Sequence, residues 1–194
     1  MMAIVVVGGQ TKGVGKTSVA AGLIRALPER HWTAFKISLA RSGEDCGGIE
    51  VREERDREAG TDSARFLAAG AVRSFWVRAS REDLAEAMAR IQPELEAAEN
   101  AVFESNSVLE FLRPDVYLSV MDPGTRDFKE SALRLLERAD AVLVPEEMLG
   151  RVAVGAPVFV MRLPDYVTEE MVRFVSQRLG MDKKQTGLLA SREL

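Results

Sequence analysis

The chain has 194 residues, of which 46% are hydrophobic and 29% are charged, as is typical of a soluble globular protein with a substantial core. Its net charge of −4 argues against a general nucleic-acid-binding surface, because such a surface needs excess positive charge. Cys46 is the single cysteine and His31 the single histidine, which excludes an internal disulfide, a cysteine zinc cluster and a histidine-rich metal site.

The first seven residues are apolar, but they are too few to cross a membrane and they lack a cationic leader. We therefore interpret residues 3–7 as a buried β-strand. Since no repeat or domain boundary is visible further along, we expect one domain over residues 1–181 and a polar tail over residues 182–194. A reducing cytoplasm is the expected location, with no membrane-bound part.

The segment that follows this strand is Gly-Gln-Thr-Lys-Gly-Val-Gly-Lys-Thr, which has the composition of a phosphate-binding loop. Glycines let the backbone curl so that several N–H groups point at one anion, and the next helix adds its positive N-terminal end. The terminal lysine can reach the outer phosphates, and the threonine hydroxyl can bind Mg²⁺. The predicted nucleotide-binding residues are Gly9, Gln10, Thr11, Lys12, Gly13, Val14, Gly15, Lys16, Thr17 and Ser18.

The spacing of this loop departs from the common Gly-x4-Gly-Lys-Thr pattern, which would need glycine where the chain has Gln10. With Gly9 as the first glycine, the loop is one residue longer. The alternative interpretation is a plain glycine turn between strand and helix that binds no ligand. The consecutive Gly-Lys-Thr between a strand and a helix favours the phosphate-binding loop.

Apolar strands alternate with helical patterns along the rest of the chain. Short apolar runs predict further strands at residues 32–37, 72–77, 101–103, 115–121, 141–144 and 158–161. Helical spacing predicts helices at residues 16–27, 61–69, 128–138 and 167–179, and a long one after Ser80. This alternation predicts a three-layer α/β/α fold with a mostly parallel central sheet, of the P-loop NTPase type. In such sheets ligands bind at the carboxyl ends of the strands.

Two other features of the chain are interpreted as structural. The segment 38–58 is rich in glycine and mixed charge, and we interpret it as a solvated loop or an exposed helix face that could order over a ligand. Trp32 and Trp76 are interpreted as core residues rather than as platforms for a base.

Two carboxylates are candidate Mg²⁺ ligands together with Thr17, because Mg²⁺ prefers hard oxygen ligands. Glu104 directly follows an apolar strand, so it should project from the carboxyl end of the sheet, where an unpaired charge is costly. Asp62 lies in a Thr-Asp-Ser sequence, and the residues alone favour a helix cap at that position. The Ser-Asn-Ser sequence after Glu104 either orients water or a second substrate, or caps a short helix.

Lys36 ends the second predicted strand and completes the set of candidates. Its ammonium group would contact the terminal phosphate or an anionic group of a second substrate. The alternative is a surface lysine whose alkyl chain packs along the sheet edge. The candidate catalytic residues are Lys16, Lys36 and Glu104, and the candidate metal ligands are Thr17, Asp62 and Glu104.

The loop resembles that of dethiobiotin synthetase, which also carries Gly-Val-Gly-Lys-Thr in a longer loop. A second stretch, Gly-Thr-Asp-Ser-Ala-Arg at residues 60–65 followed by Ala-Gly-Ala at 69–71, resembles the MobB family, the molybdopterin-guanine dinucleotide biosynthesis protein B. The MobB resemblance implies a GTP-binding, slowly hydrolysing protein that assists a partner enzyme in molybdenum cofactor biosynthesis, with Asp62 on the metal side. The dethiobiotin-synthetase resemblance implies instead an ATP-dependent ligase or kinase with Lys36 near a second substrate. A third alternative is an assembly module that binds nucleotide without turnover.

The chain departs from the MobB pattern at two places and from typical GTPases at a third. Ile37 stands where that family has histidine, and Ser105 follows Glu104 where glycine is expected. The Asn-Lys-x-Asp sequence that reads guanine is missing after strand 141–144, so GTP and ATP both remain candidates. Lys12 suggests a homodimer, because the signature lysine of related ATPases reaches from its loop across to the partner subunit. Aligning the loops on Gly-Val-Gly-Lys-Thr, however, puts Thr11 and not Lys12 at the position of that signature lysine. We therefore favour a surface or phosphate-proximal role for Lys12.

Overall fold

The computed structural model describes residues 2–9, 13–40, 48–121, 136–150, 154–162, 164 and 166–180. Its strands are β1 (Ala3–Gly9), β2 (Trp32–Leu39), β3 (Glu50–Glu54), β4 (Arg73–Ala79), β5 (Asn100–Glu104), β6 (Val116–Val120), β7 (Ala141–Pro145) and β8 (Val158–Met161). They form one sheet in the order β3-β4-β2-β5-β1-β6-β7-β8. In this described sheet β3 pairs antiparallel with β4, and the other neighbours pair in parallel.

Helices cover both faces of the sheet, which confirms the predicted three-layer α/β/α fold with its mostly parallel sheet. The helices are α1 (Lys16–Ala26), α2 (Asp62–Ala69), α3 (Leu84–Glu96) and α4 (Glu169–Arg178), with short 3-10 turns at Pro28–Arg30, Ser107–Glu110 and Glu146–Met148. Helices α1, α2 and α4 pack on one face, and α3 packs on the other. None of the helices that the structure describes combines the length and apolar character needed to cross a bilayer.

Side-chain alternation along the central strands decides which face each functional residue reaches. Val5 and Val7 pack in the core beneath α1, whereas Val6 between them packs in the core beneath α3. By the same alternation Lys36 follows Ala34 on the α1 face of β2, and Glu104 follows Val102 on that face of β5. The carboxyl ends of β2 and β5 therefore present both side chains toward the start of α1.

The interpretation of segment 38–58 as a loop or an exposed helix is wrong for its second half, which contains β3. This strand has little apolar character, because it lies at the edge of the sheet, where Glu50, Val51 and Arg52 are exposed. Its charges are satisfied locally: the Arg73 side chain donates to Glu53 over 2.7 Å, and the Thr61 hydroxyl donates to Glu54 over 2.8 Å. Ion pairs and side-chain hydrogen bonds thus replace the apolar pattern that identifies a buried strand.

Several sequence predictions fall outside the described residues. These are the loop residues Gln10, Thr11 and Lys12, most of the helix at 128–138 and the tail at 182–194. The remaining predicted strands and helices are present, with boundaries that differ by at most a few residues.

Gly8 is the position in β1 where an added side chain would be least tolerated. A Cβ atom there would lie 2.0 Å from Asn106 Oδ1 and 2.8 Å from Tyr117 Cε2. Asn106 is itself held by two hydrogen bonds to Gly9, so it cannot move away cheaply. We expect Gly8→Ala to lower the free energy of unfolding by about 1–3 kcal/mol, measured by urea denaturation.

The matched control for this prediction is Gly155→Ala, because a Cβ at Gly155 meets no atom within 4 Å. We expect this control to change the free energy of unfolding by less than about 0.5 kcal/mol. Equal losses in the two variants would contradict the packing argument at Gly8.

Candidate functional site

In the segment between β1 and α1 the structure describes Gly13, Val14 and Gly15, which lead directly into the helix. Gly13 and Gly15 have φ angles of 86° and 101°, a region that residues with a Cβ rarely adopt. Gly15 is the N-cap of α1, and as a glycine it offers no side chain to the first amides of the helix. Those amides and the positive end of the helix dipole are therefore available to an anion. A Cβ at Gly15 would lie 2.6 Å from the Tyr166 ring, so the position also requires glycine for space.

Asn106 fixes the point where the chain leaves β1 for this loop. The Gly9 amide donates to Asn106 Oδ1 over 2.9 Å, and Asn106 Nδ2 donates to the Gly9 carbonyl over 2.7 Å. The side-chain amide thus continues the hydrogen-bonding ladder beyond the last backbone pair of β1 and β5, at Val7 and Glu104. The sequence predicted that this region either orients water or a second substrate, or caps a short helix. The short helix is present at Ser107–Glu110, with Asn106 at its N-cap position and the Ser105 hydroxyl accepting from the Ser107 amide. The Asn106 side chain itself positions Gly9.

The predicted metal ligands and Lys36 form one charged cluster next to the loop. Thr17 Oγ1 donates to Glu104 Oε2 over 2.7 Å, and Lys36 Nζ contacts Glu104 Oε1. The same Nζ atom lies 2.8 Å from Asp62 Oδ2. Glu104 is only 3% exposed, so its charge is offset almost entirely by these partners. Residues from β2, β5, α1 and α2 therefore meet at one point.

Asp62 combines a local and a distant role. The side-chain cap of α2 is Thr61, whose hydroxyl accepts from the Ala64 amide, and Asp62 is the first residue of the helix. The Asp62 carboxylate is therefore available to the cluster. Burial alone would raise the pKa of Asp62, but the hydrogen bond and charge of Lys36, with help from Thr17 and Arg65, lower it below its usual range. Asp62 is accordingly ionised at neutral pH.

Lys16 lies deep in the site, with its alkyl chain beside Gly9, where an added Cβ would come within 3.3 Å of Lys16 Cδ. Burial is the largest influence on Lys16 and lowers its pKa, and the charge of Lys36 lowers it further. The carboxylates of Glu104 and Asp62 act in the opposite direction without overcoming the burial. The charged form of Lys16 is thus destabilised by loss of hydration in the empty site, and a bound anion would offset this loss.

The donors at this site suit Mg²⁺, because one hydroxyl and two carboxylates are hard oxygen ligands. Thr17, Glu104 and Asp62 would hold the ion, and a positive group, Lys36, already lies between the two carboxylates. Among the described residues no group of three or more Asp, Glu, His or Cys side chains could hold a metal alone. Phosphate oxygens and water would therefore complete the octahedral shell.

These residues line one open cleft of about 960 Å³ on the α1 face of the sheet. The sequence-predicted residues in its lining are Gly13, Gly15, Lys16, Thr17, Ser18, Lys36, Asp62 and Glu104. Gly9 and Val14 do not line it: Gly9 ends β1, and Val14 packs against the core.

The sequence did not identify Arg52, Arg65, Arg78 or Tyr166, which also line the cleft. The interpretation of Trp76 as a core residue is wrong, because Trp76 is only partly buried and lines the cleft as well. Trp32 is a core residue as predicted, 1% exposed. The alternation of side chains along β4 could have identified Trp76 and Arg78 as cleft residues. Phe75, Val77 and Ala79 face the core beneath α3, so the residues between them face the α1 side.

Solved structures with a similar fold identify the fold type. LpxK from Aquifex aeolicus, in complex with ATP, matches with a TM-score of 0.51 and 22% identity over 83% of this chain and 54% of that chain. HypB from Helicobacter pylori, in complex with nickel, matches with a TM-score of 0.50 and 14% identity over 91% of this chain and 85% of that chain. A MobB homologue from Bacillus stearothermophilus gives a TM-score of 0.46 at 14% identity, covering 92% of this chain and 99% of that chain.

This chain thus spans about half the length of LpxK. No protein-family model and no curated protein sequence matches it. At these identities the likeness to LpxK and HypB shows the fold, and the fold is that of the P-loop NTPases, as the sequence predicts.

Proposed function

We propose that this protein binds a nucleoside triphosphate with Mg²⁺ at the loop after β1 and hydrolyses it slowly. The observation that carries the proposal is the meeting of Thr17, Lys36, Asp62 and Glu104 beside the start of α1 and its glycine loop. A hydroxyl, two carboxylates and an ammonium at that place match the needs of a metal-bound polyphosphate.

Each group would have a defined task. The α1 amides and Lys16 would bind the β- and γ-phosphates, while Thr17, Glu104 and Asp62 would hold the ion. When bound, Mg²⁺ supplies positive charge that offsets the negative charge of the phosphoryl group in transfer. Lys36 would turn from its carboxylate partners toward the terminal phosphate.

Slow turnover is expected because both carboxylates of the cluster, Asp62 and Glu104, are already engaged by other groups. Within the described part of the site, Glu104 and Asp62 both contact Lys36, and Glu104 also accepts from Thr17. A carboxylate that is held between a hydroxyl and an ammonium, or that holds the metal ion once nucleotide is bound, is a poor general base for water. Positioning and charge neutralisation alone can still support phosphoryl transfer at a low rate.

The finer form of this proposal is a MobB-like accessory role with a partner enzyme in molybdenum cofactor biosynthesis, using GTP in the cytoplasm. Its support is the sequence resemblance at residues 60–71. A second candidate is an ATP-dependent ligase or kinase of the dethiobiotin-synthetase type. The open cleft beyond Lys36 favours this candidate, because it offers room for another ligand. A module that binds nucleotide without turnover, and a homodimer, are the remaining alternatives.

Isothermal titration with GTP and ATP, each with and without Mg²⁺, together with a steady-state phosphate-release assay, tests the proposal. We expect binding of at least one nucleotide that is tighter with Mg²⁺, and slow phosphate release without any added acceptor. Preference for guanine would support the MobB-like role, and preference for adenine the ligase or kinase. Absence of binding at millimolar nucleotide would refute the proposal.

A further inference from the structure

The cleft continues well beyond the place of the phosphates, along the α1 face of β2, β4 and β3. Lys36 pairs in register with Trp76 on β4, and Trp76 pairs with Arg52 on β3. One row further toward the carboxyl end of β2, Ser38 pairs with Arg78. Because directly opposed residues share a sheet face, these side chains form a continuous surface next to the metal cluster.

The charge of this surface differs from that of the phosphate site. The cations in the cleft lining are Lys16, Lys36, Arg52, Arg65 and Arg78, and the acids are Asp62 and Glu104. Both acids contact Lys36, so they belong to the inner end of the cleft. Glu50 opposes Arg78 in the β3–β4 ladder, but it does not line the cleft. The described lining of the outer end thus contains Arg52 and Arg78, and Glu50 lies on the same sheet face outside that lining.

Trp76 gives the outer end a planar apolar wall as well as charge. The Arg52 guanidinium lies over the Trp76 ring, 5.3 Å from its centroid. A guanidinium stacked on an aromatic ring keeps its N–H donors at the edge, where they can bind a carboxylate or phosphate in a bidentate manner. The stacking thus orients Arg52 for an anion instead of consuming its hydrogen-bonding capacity.

The sheet geometry sets the size of a ligand that could use both ends of the cleft. Lys36 and Arg52 lie on strands two positions apart in the sheet. Neighbouring strands are about 4.8 Å apart, so the two backbones are separated by about 10 Å. The side chains of Lys36 and Arg52 extend into this space, and the gap left between them suits a single-ring compound with one ionised group.

We propose that Ser38, Arg52, Trp76 and Arg78 form a second binding site, the anion subsite, for a small organic anion with a planar ring and a carboxylate or phosphate group. The inference rests on the proposed function, since the subsite adjoins the place assigned to the terminal phosphate. It adds the chemical class of a second ligand that is held at the same time as the nucleotide. A protein that only hydrolyses nucleotide has no need for such a site.

The test uses phenyl phosphate as the probe and saturating Mg-ADP to fill the phosphate-binding loop. Binding is followed by tryptophan fluorescence and by isothermal titration. The chain has two tryptophans, and Trp32 is buried with its indole N–H donating to the Leu27 carbonyl. A saturable fluorescence change in the presence of Mg-ADP therefore reports on Trp76. In Trp76→Phe the fluorescence change should disappear while the calorimetric signal remains.

Substitutions distinguish the subsite from general attraction of anions. We expect Arg52→Ala and Arg78→Ala each to weaken probe binding about tenfold, as for loss of one charged hydrogen-bond donor. Arg52→Lys should fall between wild type and Arg52→Ala, because lysine keeps the charge but loses the bidentate fork. The matched control is Arg90→Ala on α3, where Arg90 pairs with Glu86 at 2.6 Å on the other side of the sheet. This control should bind the probe like wild type.

Three results would overturn the inference: no saturable signal in wild type, displacement of the probe by Mg-ADP, or equal affinity in Arg52→Ala, Arg78→Ala and Arg90→Ala. Circular dichroism melting checks that the variants are folded. If wild type fails to bind Mg-ADP, the proposed function is refuted, and the titration of the protein alone still decides whether the anion subsite exists.

Discussion

Lys16→Ala should abolish nucleotide binding and leave the fold intact. Lys16 is a partly buried cation next to the glycine loop, and the other ammonium of the cluster, Lys36, is engaged by two carboxylates. Removing Lys16 therefore takes away the cation beside the α1 amides and leaves the phosphates to those amides, the metal ion and Lys36. We expect the dissociation constant for Mg-nucleotide to rise by roughly a hundredfold or more, as for loss of charge-assisted hydrogen bonds.

Lys16 should also lower the free energy of unfolding of the protein when no nucleotide is bound. The folded state holds the Lys16 proton less tightly than the unfolded chain does, because burial lowers the pKa of Lys16 from 10.5. The unfolded chain thus binds more protons, and the contribution of Lys16 to stability rises with pH. Lys16→Met, which keeps the alkyl chain, should melt at a higher temperature than wild type at pH 7. This gain should shrink as the pH approaches 10.5.

Calorimetric titration measures the first effect, and thermal melting without nucleotide across a pH series measures the second. An unchanged dissociation constant in Lys16→Ala would remove the loop from the proposed function. A Lys16→Met protein that melts below wild type at every pH would show that contacts of Lys16 outweigh its desolvation.

Glu104→Gln should separate metal-dependent turnover from nucleotide binding. Glutamine has nearly the same shape and can still accept from Thr17, but it removes the charge that faces Lys36 and the ion. We expect Mg²⁺-dependent phosphate release to fall by about 10²–10³-fold, as for loss of a preorganised electrostatic contact. Metal-free nucleotide binding should weaken much less, because one negative charge near the phosphates is gone.

The assay compares the rate at saturating Mg²⁺ with the dissociation constant measured in chelator. Glu110→Gln is a suitable control, since Glu110 is exposed and pairs with Arg81 away from the cluster. Activity of Glu104→Gln equal to that of the control would exclude Glu104 from the mechanism.

The parts of this fold that the sequence predicted are those encoded by short-range patterns. Apolar runs identified the buried strands, and the glycine loop between strand and helix led to the candidate site. Glu104 and Lys36 could be placed because each ends such a strand. Asp62 came from a family resemblance, because its own neighbourhood is also that of an ordinary helix start.

The parts that were missed depend on contacts between distant segments. β3 has no apolar signal, because an edge strand needs none on its exposed side. Arg52 and Trp76 become neighbours only through the register of β3 against β4, which no local pattern specifies. Asn106 is close to Gly9 only because β5 and β1 are adjacent in the sheet.

The contacts of Lys36 with two carboxylates have a consequence for the order of assembly. An ammonium that is tied to the chain already contacts both Glu104 and Asp62, so free Mg²⁺ must compete with a counter-ion that cannot diffuse away. A triphosphate changes this competition, because its terminal oxygens offer the ammonium a new partner while they bring ligands for the ion. Under the proposed function, metal and nucleotide should therefore arrive as one complex, and the protein without nucleotide should respond little to changes in the free Mg²⁺ concentration.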